Sequence, residues 1–164
     1  MKFLQKLLGR DDIVFGDKTY MRRWLLPQRW WPRALTKFLP GIRVHNIMTS
    51  DEDRALHCHP FDFMTIILKG GYTEYTADGK SRFYGPGSIL FRKAETLHRL
   101  ELPGTDIYTR RHDGILLHEG RYEDPAWTFV IRGPIRRTWG FQTDQGWVPW
   151  YEFQGAGEST GEQP

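Results

Sequence analysis

Residues 56–71 read LHCHPFDFMTIILKGG, and this stretch decides the fold. His57 and His59 are two positions apart, so on an extended chain both imidazoles face one side and Cys58 the other. Beyond Pro60, residues 63–69 are nearly all apolar and stop at Gly70-Gly71, as expected of a strand covered on both faces and closed by a turn. His98 follows roughly forty residues later in TLHRLEL, a second extended stretch. A sandwich or barrel can bring such strands together. Three neutral imidazoles entering one cavity bind a divalent transition metal and leave positions for water or substrate. A His-x-His pair alone describes polar core or surface histidines equally well, and it is His98 and Asp62 that raise the metal reading.

Outward from that stretch the texture stays the same. Short apolar or alternating runs are expected as strands at 42–48, 54–59, 63–69, 72–76, 81–84, 88–91, 97–102, 106–111, 115–119, 127–132, 136–141 and 147–153. Asp78-Gly79 is a hairpin signal, and Gly85-Pro86-Gly87 and Pro103-Gly104 read as turns. Many short strands without helix-length patterns point to an all-β sandwich or small barrel. The 164 residues fit one domain, and 24 aromatic side chains supply a sizeable core. One cysteine excludes an internal disulfide and any cysteine-cluster metal site, which accords with a reducing, cytoplasmic setting. No run of 18 apolar residues is present, so a spanning helix is excluded.

Residues 1–40 carry nine Lys or Arg and three Asp, while the rest of the chain is slightly acidic. Within them, Pro27, Pro32 and Pro40 break up a Trp- and Arg-rich segment, expected as a short helical or irregular extension packing on the barrel or a partner. Indole and guanidinium groups can stack on bases, but they equally cover a sheet, and a nucleic-acid binder should be basic where it folds. Nucleic acid is therefore an unfavoured partner. Residues 41–154 form the expected domain, and 155–164 a flexible tail.

The chain resembles the cupin superfamily, the double-stranded beta-helix or jelly-roll proteins. The first motif of that family is similar to His57-Cys58-His59, a short spacer, an acidic ligand and a glycine that matches Gly70. The second is similar to Gly85-Pro86-Gly87 followed by His98. The resemblance implies an all-β jelly roll with a metal on His57, His59 and His98. The family's usual glutamate would fall near Phe63 or Met64, neither of which binds a metal. Asp62 is the nearest carboxylate, one residue early, and a regular strand would turn it away unless Pro60 breaks the phase. Asp62 is thus carried as a fourth ligand or as a partner of the ligands.

Among the remaining residues, Phe63 and Thr65 share a parity and are expected to line the cavity against a substrate. Arg92, in a loop at the barrel mouth, is expected to orient an anionic substrate. The run 132–137 could collect an anion or pack on Trp139, while His45, His112 and His118 have no paired spacing. The resemblance implies a metal-dependent small-molecule enzyme, foremost an oxygenase using Fe(II), with Mn, Ni or Zn as alternatives. A cupin isomerase or lyase and a non-catalytic ligand-binding cupin are the competing readings, since fold does not select an activity. Exposed sheet edges and the Trp-rich segment favour a homodimer.

Overall fold

The strands recognised from turn chemistry and alternation carry most of the architecture. The structure is a computed structural model that describes residues 9–15, 18–26, 32, 35, 37–51 and 55–153. In chain order the strands are β1 (Arg10–Phe15), β2 (Lys18–Leu26), β3 (Gly41–Ile47), β4 (Leu56–His57), β5 (Phe63–Lys69), β6 (Tyr72–Thr76) and β7 (Ser81–Tyr84). They continue with β8 (Ile89–Arg92), β9 (His98–Glu101), β10 (Gly104–Arg110), β11 (Leu116–Glu123), β12 (Ala126–Arg132), β13 (Gly140–Thr143) and β14 (Gly146–Pro149). One six-stranded sheet has the order β1-β2-β3-β12-β5-β8 and a second the order β14-β13-β4-β9-β6-β7. β10 and β11 form a separate hairpin. All pairings are antiparallel.

The two sheets face each other, and their inward residues change character along the strands. At one end Ile47, Ile67, Tyr72, Leu90, Leu100, Leu102 and Ala126 make a closed apolar core. Stepping two residues at a time towards the other end, Ile47 gives way to His45 and Arg43, Tyr72 to Glu74, Leu90 to Arg92, and Leu100 to His98. Burying so many polar groups is tolerable only if they pair with one another or with a ligand. One end of the barrel is therefore core and the other is site.

Gly70 makes the sharp return from β5 to β6 with φ +72°, and a Cβ there would meet the Pro125 carbonyl oxygen at 2.5 Å. Only glycine satisfies both conditions. Gly79, with φ +76°, closes the expected β6–β7 hairpin.

Three details differ from the sequence expectation. β1 and β2 precede the first expected strand: β2 pairs with β3 along Met21↔Ile47 to Leu26↔Ile42, extending the sheet instead of forming a helical or irregular cover. The strand expected at 136–141 begins only at Gly140, because Arg136 and Ile135 bond back to Pro60 and Lys37. The outer face of β5 is not fully covered: Met64 and Ile66 are half-buried, and Leu68, with Ile89 and Phe91 of β8, is exposed. Residues 1–8, the segment 27–31 and the tail from 154 lie outside the described residues. Among the described residues no helix is long and apolar enough to cross a membrane.

Candidate metal centre

His57 closes the short strand β4, where it stands directly opposite His98 of β9 and beside Phe141 of β13. The next residues leave the ladder but remain tied to it. Cys58 donates its N–H to the Gly140 carbonyl and His59 to the Ala94 carbonyl, both at 3.0 Å. This preserves the two-residue phase, so Cys58 is buried in packing while His59 returns to the side of His57.

The three imidazoles form a nearly equilateral triangle, with ring centres 5.1 Å (His57–His59), 4.9 Å (His57–His98) and 5.0 Å (His59–His98) apart. One ring nitrogen from each lies within 4.8 Å of the other two, and the Nε2 atoms of His59 and His98 are 2.8 Å apart. Nitrogens about 2.1 Å from one ion and at right angles around it would be separated by roughly 3 Å, so these two are already spaced as neighbouring ligands. Burial, and then the neighbouring His98 and His57, push the His59 pKa well below its ordinary value. At neutral pH that ring is uncharged, as a metal ligand must be. The donor set fits a divalent transition metal.

Two carboxylates stand behind the triangle. Glu74 of β6, buried, accepts from His98 Nδ1 at 2.6 Å and from Arg92 Nε at 2.9 Å, and a second Arg92 nitrogen holds its other oxygen. Arg92 also donates to the Tyr84 hydroxyl at 3.2 Å. Burial alone would raise the Glu74 carboxyl; the bonds from His98 and Arg92 overcome it and bring the pKa down to about 2. With a carboxylate accepting at Nδ1, Nε2 is the nitrogen of a neutral His98 that keeps its lone pair. Asp51, also buried, accepts from the Tyr20 hydroxyl and the Leu100 N–H at 2.6 Å each. Its Oδ2 lies 3.8 Å from His57 Nδ1.

Asp62 is not brought to the imidazoles. Phe61 and Phe63 occupy the inward positions on either side of it, and its carboxylate accepts from the Ala94 N–H at 2.7 Å and from Arg136 at 2.6 Å. The bond from Arg136, then the one from Ala94, lowers its pKa. The one-residue slip therefore has its ordinary consequence: Asp62 points out and pins the 93–96 turn under His59. Arg92 is corrected as well. It lies on β8 inside the barrel, not in a mouth loop, and its guanidinium is committed to Glu74 and Tyr84. On its far side an open groove of about 570 Å³ runs past Thr76, Lys80, Arg82 and Tyr84. Phe63 packs edge-on to His59 with ring centres 4.7 Å apart, and Thr65 is buried on the same face.

Sequence reasoning did not single out Glu74, Asp51 or Arg43 as functional. Glu74 shares its parity with Tyr72, but Tyr75 stands on the other, so alternation left its facing open; Asp51 offered no signal, since it acts from a loop.

No family model matches the chain, and no curated protein does. Solved structures do match. A cupin-2 domain from Rhodospirillum rubrum is similar with a TM-score of 0.51 and 12% identity, over 84% of this chain and 78% of its own. A cupin-superfamily sugar phosphate isomerase from Silicibacter pomeroyi gives 0.50 at 12% identity, over 87% of both chains. Iron(II) HppE gives 0.46 at 13% identity over 74% of this chain and 56% of its own, so this chain spans about half the length of that protein. The chain has the cupin fold, as the two histidine motifs implied.

Proposed function

We propose that the protein is a metal-dependent small-molecule enzyme, with a divalent transition metal held by His57, His59 and His98, and that its activity is of the oxygenase type with Fe(II). The observation that supports this is the triangle of imidazoles with a carboxylate behind two of its corners. An ion bound there supplies Lewis-acid and redox chemistry with coordination positions left open.

The chain's own residues prepare that site. Glu74 keeps the His98 proton on Nδ1 and, being itself clamped by Arg92, fixes the ring plane. Asp51 places a carboxylate oxygen 3.8 Å from His57 Nδ1, a charge contact rather than a hydrogen bond. Phe61 and Phe63 keep water away from the His59 side, and Phe63 with Thr65 forms the wall against which a substrate packs. Because the three protein ligands are neutral, a bound ion retains its full charge, which favours an anionic partner.

Metal-free protein loaded in turn with Fe, Mn, Ni and Zn should take up one ion per chain, and His57→Ala should abolish uptake. Absence of stoichiometric metal overturns the proposal. Iron-loaded protein should consume oxygen when supplied with substrate. A second reading, isomerase or lyase chemistry, is favoured by the 2.8 Å contact between His59 and His98, which allows one imidazole to pass a proton to the other. Turnover without oxygen would select it.

A further inference from the structure

We infer that Arg43, whose guanidinium lies with that of Arg132 against the Phe61 ring, forms an oxyanion subsite inside the barrel that holds the acidic group of the substrate beside the three imidazoles. This rests on the metal-site reading above and names the substrate class: a small molecule bearing a carboxylate or phosphoryl group.

Arg43 is 8% exposed and Arg132 2% exposed. Their guanidinium carbons lie 5.2 and 5.3 Å from the centre of the same Phe61 ring, which itself stacks on His59 with ring centres 6.2 Å apart. The Nε of Arg43 is buried and has no hydrogen-bond partner, and the neighbouring His45 presents a buried, unpartnered Nε2. Asp11, the carboxylate whose charge reaches Arg43, is already paired with Arg23. A buried guanidinium nitrogen without an acceptor is costly, and an anion that accepts from it removes that cost. Burial, followed by the charges of Arg23 and Arg132, brings the Arg43 pKa down to about 9, so it remains a cation at neutral pH. Arginine suits this task because its planar fork matches the two oxygens of a carboxylate or phosphoryl group.

The test uses inorganic phosphate and acetate as probes, titrated calorimetrically into metal-free wild type, Arg43→Met, Arg43→Lys and His57→Ala. At least one probe should bind wild type, and which one it is distinguishes a phosphoryl from a carboxylate substrate. Arg43→Met should weaken it about tenfold or more, with Arg43→Lys intermediate. His57→Ala should bind the anion normally while losing metal. In melting experiments the anion should raise the midpoint of wild type but not of Arg43→Met, and without anion Arg43→Met should melt no lower than wild type. Wild type that binds neither probe, or Arg43→Met that binds as wild type does, overturns the subsite. Arg43-dependent anion binding in a protein that takes up no metal would keep the subsite and overturn the metal reading alone.

Discussion

Replacing Glu74 with glutamine keeps the size and shape of the side chain and removes its charge, so it asks how much the carboxylate behind His98 contributes. The folded protein holds that carboxyl at about pH 2 against an ordinary value of 4.5. A shift of about 2.5 units corresponds to about 3 kcal/mol of preference for the ionised form in the fold. Glutamine resembles the protonated acid, so Glu74→Gln should lose about that amount at neutral pH, or roughly 6 to 12 °C of melting temperature for a chain of this size. The sign with pH follows from the depressed value. The stabilisation is complete above about pH 4.5 and is lost as pH falls towards 2, so the gap between wild type and variant should close in acid. Urea unfolding at a series of pH values measures this directly. In an Arg92→Met background the same change should cost less, because the guanidinium that would be orphaned is gone. Metal affinity, followed by competition with a chromophoric chelator, should fall about tenfold to a hundredfold in Glu74→Gln. A variant within about 1 kcal/mol of wild type at pH 7, with a gap that does not change in acid, would refute the account of the Glu74–His98–Arg92 group.

Asp62→Asn should bind metal within a few-fold of wild type and change stability by less than about 1 kcal/mol, since its pair with Arg136 is substantially exposed; a loss of metal affinity beyond tenfold, in the chelator assay, would return Asp62 to the ligand set. Gly70→Ala meets both a positive φ and the Pro125 carbonyl, so it should cost more than about 2 kcal/mol in denaturant unfolding, and a near-neutral outcome would contradict the geometry of the β5–β6 return. Leu68, Ile89 and Phe91 leave an exposed apolar strip on the outer sheet face, which favours a homodimer joined there. Sedimentation should then show wild type as a dimer and Phe91→Glu as a monomer, whereas a monomeric wild type removes this reading.

The part of the molecule that was legible in the sequence is the part where hydrophobic phase and turn chemistry agree. β5, β6 and β7 follow from an apolar run, Gly70 and the Asp78-Gly79 turn, each with one physical meaning. The imidazole triangle followed from the spacing of His57 and His59 together with the family resemblance, because a period of two fixes their common face. What was hidden lies where the phase is ambiguous or reversed. In YTEYT, tyrosines stand on both parities, so alternation does not say that Glu74 faces in. In GIRVHNI, ordinary alternation would bury Ile42 and Val44, yet Arg43 is the buried residue. β1 and β2 were missed for the related reason that charged and apolar residues fall in blocks there, RDD before IVF and RR before WLL, with no alternation to mark an apolar face.

The reversal has a common cause. Each inward row begins in the apolar core and ends in a charged or imidazole group: Ile47 to Arg43 in β3, Leu90 to Arg92 in β8, Leu100 to His98 in β9, Ala126 to Arg132 in β12. Stability alone would continue the apolar row to the end of the strand, because every polar group taken inside loses water and must find a partner. Four separate strands depart from that rule at the same level of the barrel, so the departures share one cause and it is the site. Glu74 compensates Arg92 and His98 within the protein. Among the described residues, no acceptor meets the buried Nε of Arg43. A buried guanidinium nitrogen left without an acceptor, at the level of the barrel where the imidazoles converge, is placed to receive one from a ligand.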